Sequence, residues 1–257
     1  MKQLIITILA ILMVAPLVFA QGITTHQFRR VEPQDMGEYL KRETTYWQKF
    51  AEQEVKKGNL TFWAILQKVG GVGQDHAPNI LIVNTVNDVD TQLDWNSVGD
   101  LFPDKKMEDI GTNAISKNIA TVFLKSEGNH IEIPNVDPDK HFNFVKIVYH
   151  NPTNTVKLLD FEANKWKPMV QKAMNEGKTV MTGWGNARIL HPSNSKFQYT
   201  TQSYDLFANL NDALSQYFSE DMEMADDFFA DIEDNESSPR SIGLYRIVSV
   251  VQASPEE

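Results

Sequence analysis

PQDMGEYLKRETTYWQKFAEQEVKKG, residues 33–58, decides the fold, because residues 152–177, PTNTVKLLDFEANKWKPMVQKAMNEG, repeat its pattern. Shifted by 119 residues without a gap, Pro33 falls on Pro152, Glu43 on Glu162, Trp47 on Trp166 and Gly58 on Gly177. Leu40, Phe50 and Val55 fall on Leu159, Met169 and Met174, apolar on apolar. The chain has only five Trp and thirteen Gly, so two matched residues of each type mark a repeat rather than chance. Each stretch reads as an amphipathic helix. Met36, Leu40, Glu43, Trp47, Phe50 and Glu54 recur at spacings of three and four, as do the apolar residues from Leu158 to Ala173. Asp35 and Asn154 suit the N-cap, where a side-chain oxygen accepts from a free backbone N–H. Gly58 and Gly177 suit the left-handed residue that ends a helix.

Outward from these helices the pattern stays doubled. A strand precedes each, over residues 23–31 and 142–150, and Pro33 or Pro152 follows it. A hairpin follows each, 60–69 with 79–87 and 179–190 with 197–204, joined by turn-forming residues. The glycines at 70, 71 and 73 join two strands and precede no helix, so they make a turn rather than a phosphate cradle. A second helical region comes next. From 205 to about 232 its face is traced by Phe207, Leu210, Leu214, Phe218, Ala225 and Phe229. The acidic residues between them lack calcium-loop spacing and read as a solvated helix face. A last strand closes each copy, 119–125 and 241–251. The order β-α-β-β-α-β, written twice, is the ferredoxin-like unit. An α+β protein of two such units follows, over 21–133 and 134–257, joined by a linker at 128–140, with their open sheet faces packed together.

Residues 1–20 read as a cleavable signal peptide. Lys2 precedes an uncharged run from Leu4 to Phe19, and Ala20 completes a small-x-small site. The run is short for a membrane span, which takes about 20 residues. The mature chain is expected to be secreted or periplasmic, with no stable membrane insertion. It has no cysteine, so its stability comes from a packed core rather than disulfides. A formal charge of −10 argues against nucleic acid, which needs clustered Lys and Arg.

The run from Glu38 through Trp47, then Val55-Lys56-Lys57-Gly58-Asn59-Leu60, then Trp63, resembles the dimeric α+β barrel superfamily, in particular its NIPSNAP-like and EthD-like members. Trp166 through Gly177, then Trp184, repeats the motif. The resemblance covers about 200 residues, and its motifs are structural. It implies that one chain supplies both halves of a pseudo-dimeric barrel. The superfamily contains cofactor-independent monooxygenases, muconolactone isomerases, chlorite dismutases and dye-decolourising peroxidases. No catalytic motif of these can be placed on particular residues here.

The residues themselves exclude cysteine chemistry and contain no nucleophile elbow, P-loop or zinc-protease motif. None of the six histidines forms a metal-ligand pair. No catalytic residue, metal or cofactor is expected. The weak candidates for a ligand site are His26 and His150, on the first strand of each copy and pointing between the sheets, with Arg30. Trp63 and Trp184 join them as cavity-lining aromatics. At matched positions His26 meets Val145, His150 meets Val31, Arg30 meets Tyr149 and Trp63 meets Thr182, so any site is expected to be lopsided. With no convergent Ser/His/Asp set, the chain reads as a small-ligand-binding or accessory protein of the cell envelope rather than an enzyme. The alternative is a cofactor-independent monooxygenase or isomerase acting on a small hydrophobic compound. Haem binding is a third, more distant reading.

Overall fold

A computed structural model describes residues 22–70, 77–88, 90–91, 93–192 and 196–253. The signal peptide expected at 1–20, most of the turn expected at 70–73, and His76 lie outside the described residues. Among the described residues nine strands form one antiparallel sheet: β1 Ile23–Val31, β2 Leu60–Lys68, β3 Ile80–Val86, β4 Ser116–Ser126, β5 Ile131–Glu132, β6 Phe144–His150, β7 Gly183–His191, β8 Thr201–Phe207 and β9 Ser241–Gln252. Their order is β4-β1-β3-β2-β9-β6-β8-β7-β5, and β4 also pairs with β7. That last ladder, Phe123–Ser126 against His191–Ala187, closes eight strands into a barrel. Two separate sheets stacked face to face are therefore not what forms. The β2–β9 and β4–β7 ladders join them edge to edge, and closure removes the free strand edges that an open sheet would expose.

Strand alternation sorts the side chains. Phe28, Ala64, Leu66, Leu81, Val83, Val145, Ile147, Tyr149 and Tyr245 pack together inside the barrel. The opposite faces meet two long helices. The first runs through Met36–Arg42, a π-helical turn at Glu43–Trp47, and Gln48–Lys56. The second runs through Thr155–Phe161, a π turn at Glu162–Trp166, and Lys167–Glu176. Asn154 caps the second helix by accepting from the Lys157 N–H at 3.0 Å. Gly58 and Gly177 take φ of 77° and 66°, the left-handed region a glycine enters without strain. Tyr39 and Ala51 of the first helix pack on Val31, Leu60, Trp63 and Ile65. Val170 and Met174 of the second pack with Met181, Trp184 and Phe207.

The second helical regions are mostly absent. Residues 205–207 belong to β8, and only Leu210–Leu214 is helical beyond them. In the first half, one 3-10 segment, Trp95–Leu101, and one turn, Met107–Ile110, stand in its place. The cause is local. Glu220, Glu223, Asp226 and Asp227 would repel at helical spacings of three and four. The apolar residues gain more elsewhere: Phe228 and Phe229 pack on Phe161, and Phe229 also meets Trp166. The end of this segment is pinned by Asn235. Its Oδ1 accepts from the Thr153 hydroxyl and the Asn154 N–H, each at 2.9 Å, and its amide donates to the Asn154 carbonyl at 3.0 Å.

Candidate functional site

The five candidate residues do not share one cavity. His26 faces the barrel interior and is hydrogen-bonded through Nδ1 to the Tyr149 hydroxyl at 2.6 Å. The two residues stand on β1 and β6, opposite strands of the eight, so this bond spans the interior. Burial drives the His26 imidazole down to about 3, and it is neutral at any ordinary pH. Arg30 sits at the barrel mouth in an open cleft of about 350 Å³, shared with Glu32, Asp35 and Lys117. Its guanidinium faces the Glu32 carboxylate at 3.4 Å. Trp63 and Trp184 pack beneath the two helices and line no barrel cavity. His150 does not point inward either. Val145, Ile147 and Tyr149 take the interior side of β6, which turns Lys146, Val148 and His150 toward the helix.

The strand registers depart from the 119-residue offset read in the sequence. Trp63 stands opposite Asn84, and Trp184 opposite Asp205. The two tryptophans thus hold matching hairpin positions, 121 residues apart rather than 119. The offset puts Arg29, not Val31, at the place of His150, and Tyr149 at the place of Phe28. Two extra residues lie before the first helix, and two extra ones follow the second. A shift of two keeps each side chain on its own face.

The helix-facing side of the second half is polar where the first half is apolar. Asn186 on β7 stands opposite Ser203 on β8, which stands opposite Val148 on β6. In the corresponding places the first half has Ile65 and Ile82. Along the same face, Asp205 lies between Trp184 and Lys146, and Thr201 lies opposite His150. Asn186, Thr201, Ser203, Asp205 and His150 are all buried.

Glu162, the first residue of the π turn, closes this layer from above. It is buried, and its Oε2 accepts from the Asn186 amide at 2.7 Å. Burial raises its carboxyl from 4.5 to about 7, against the pull of the Asn186 hydrogen bond and the Arg240 charge. Asp205 is raised by burial to about 6 and accepts from the Tyr217 hydroxyl at 2.8 Å. The Lys146 ammonium lies 4.6 Å from the centre of the Tyr217 ring, and burial lowers its pKa. At the other end, His150 Nε2 meets the Ser203 hydroxyl at 3.0 Å, and its Nδ1 meets Glu236 Oε1 at 3.3 Å. Arg240 donates from Nε to the same oxygen at 2.6 Å. Convergent polar groups are thus present, against the sequence expectation of none. The first half keeps one such group. Glu43 is buried on the matching π turn, is raised by burial, and accepts from the Thr112 hydroxyl at 2.9 Å.

The sequence did carry a signal for these carboxyls. Glu43 falls in the apolar phase of its helix and Glu162 falls on it at the 119-residue offset, yet a buried ionisable group is costly unless it serves something. Asn186, Ser203, Asp205 and Glu236 gave none, because their burial depends on strand register and on the path of the 215–240 segment. Among the described residues no group of three or more His, Asp or Glu could hold a metal ion, and no helix is long and apolar enough to cross a membrane.

No protein-family model matches the chain, and no curated protein matches it. Solved structures do. A proposed monooxygenase of Fusobacterium nucleatum aligns with a TM-score of 0.56 at 12% identity, over 91% of this chain and 95% of its own. An anthrone oxidase-like protein aligns at 0.54 and 11%, over 91% and 94%. A proposed monooxygenase of Lactobacillus acidophilus aligns at 0.51 and 10%, over 90% and 96%. At such identities the likeness is one of fold: a mixed α+β protein built on a closed eight-stranded antiparallel barrel, similar to the dimeric α+β barrel proteins. The expectation of a non-catalytic accessory protein is corrected on two counts. The three neighbours above are described as proposed monooxygenases or as anthrone oxidase-like, and the missing polar constellation on which that expectation rested is present under the second helix.

Proposed function

We propose that the chain is an enzyme of the monooxygenase or isomerase type, removing a proton from a small hydrophobic, enolisable or phenolic compound. The site is the layer between the second helix and β6, β7 and β8. The observation that carries this reading is Glu162: a buried carboxyl raised to about 7, held by Asn186 above a polar sheet face. A general base works best when its pKa lies near the working pH. Glu162 would take the proton, and the Asn186 amide and the Arg240 charge would steady the anion left behind. Returning the proton to a neighbouring carbon gives isomerisation, and reaction of the anion with dioxygen gives oxygenation. The oxygenase-type neighbours support this class by fold. The polarity of one half against the other supports a single, lopsided site for a small ligand.

The matched π turns and the shared strand orders β4-β1-β3-β2 and β9-β6-β8-β7 support a tandem duplication, with units over 21–133 and 134–257 after an exported leader at 1–20. The test of the enzymatic reading is Glu162→Gln, assayed by deuterium exchange into a panel of enolisable aromatic ketones. The substitution should lower exchange by roughly 100-fold or more, the usual range for removing a general base, and should abolish the ionisation near pH 7 in the rate profile. Exchange by the native protein that is undiminished in the variant would reject the reading.

A further inference from the structure

Ser203, His150 and Glu236 stand in line on the helix side of the second half. The Ser203 hydroxyl donates to His150 Nε2 at 3.0 Å, and His150 Nδ1–H donates to Glu236 Oε1 at 3.3 Å. These two bonds require one tautomer of a neutral imidazole, with its proton on Nδ1 and a lone pair on Nε2 facing the serine. Burial lowers the His150 pKa and favours that neutral form. Arg240 holds the same carboxylate oxygen, donating from Nε to Glu236 Oε1 at 2.6 Å. Thr201 stands opposite His150 in the ladder, two residues from Ser203 on the same face. Its hydroxyl is fully buried and has no hydrogen-bond partner. A buried hydroxyl without a partner costs free energy unless a ligand completes it.

We propose that Ser203, His150 and Glu236 form an acyl-transfer triad that hydrolyses a small neutral ester, with the Thr201 hydroxyl facing the developing oxyanion. Triads are recognised by geometry and roles rather than by chain order. Ser203 Oγ forms a bond to the acyl carbon while His150 Nε2 takes the serine proton. The ester C–O bond breaks and the departing alcohol receives that proton. Water, deprotonated by His150, then attacks the acyl-serine, releases the acid and restores Ser203. No electrons change hands and no cofactor is needed. Glu236 and Arg240 are positioning residues that act through His150. The activity goes beyond proton abstraction by Glu162 and does not depend on it.

The experiment treats the full chain with a fluorophosphonate probe, locates the label by peptide mass mapping, and follows p-nitrophenyl acetate turnover. Label is expected on Ser203. It should disappear in Ser203→Ala and His150→Gln, with turnover reduced roughly 1,000-fold. Glu236→Gln should slow acylation and move the acid limb of its pH profile lower, because the carboxylate that favours protonated His150 is gone. The chain has no cysteine, so Ser203→Cys introduces the sole thiol. Its iodoacetamide reactivity should titrate below the ordinary thiol value of about 8.5 and return toward it when His150→Gln is added. An unlabelled native protein, label that survives Ser203→Ala, or a thiol titration indifferent to His150 would each overturn the proposal.

Discussion

At the scale of single residues, buried polar groups decide both stability and chemistry. The His26–Tyr149 bond crosses the barrel interior, where both residues are buried. Tyr149→Phe should therefore destabilise the fold by about 1–3 kcal/mol, the cost of leaving a buried polar group unsatisfied. Urea unfolding of native and variant protein measures it. Glu162 works in the opposite sense. Its folded pKa of about 7 lies above the ordinary 4.5, so the folded state favours the protonated form. That stabilisation is fully present below about pH 4 and is lost as pH rises through 7. The difference corresponds to roughly 3 kcal/mol as an upper figure. Glu162→Gln, which cannot ionise, should raise the melting temperature relative to the native protein at pH 8 and change it little at pH 4. An equal change at both pH values would show that Glu162 ionises as freely as it does in water.

At the scale of elements, the helices were legible and the covering segments were not. Spacing, the Asn154 cap and left-handed glycines locate both long helices within a few residues, because those signals are local; Asp35 stands at the start of the first helix but makes no side-chain capping bond. The π turns leave no trace in composition, although they set the two glutamates over the sheet. The 205–232 region misled because Phe207, Leu210, Leu214 and Phe218 do keep helical spacing. Leu214 is nonetheless 70% exposed, and Phe228 and Phe229 leave the pattern for Phe161 and Trp166. Side-chain anchoring replaces helical hydrogen bonding along this stretch. Asn235→Ala removes three such hydrogen bonds at once and should cost about 1–3 kcal/mol. Limited proteolysis should then cut first between 219 and 240, and unchanged cleavage would mean that Asn235 is not the anchor.

At the scale of the whole molecule, closure of the barrel joins the halves. Each half alone would leave two unpaired edges, β2 and β4 in the first, β9 and β7 in the second. A chain of residues 22–133 is therefore expected to self-associate through those edges rather than remain a folded monomer, which sedimentation velocity would resolve. The order of the barrel strands and of the two long helices could be read from the sequence because each strand is bounded by turn residues, whereas the second helix expected in each copy is reduced to short turns. The face on which each histidine lies could not, since a one-residue difference in phase sends His26 inward and His150 outward. The site was hidden for the same reason: it is assembled from three strands, a π turn and an irregular segment that meet only after closure.

The central claim is that the layer beneath the second helix holds a carboxyl poised for proton transfer near neutral pH. Infrared difference spectroscopy of the carboxyl stretch, native protein against Glu162→Gln over pH 4 to 9, tests it directly. The account predicts a protonated carboxyl, absent from the variant, that titrates at about 7. A Glu162 already fully ionised at pH 6 would contradict it.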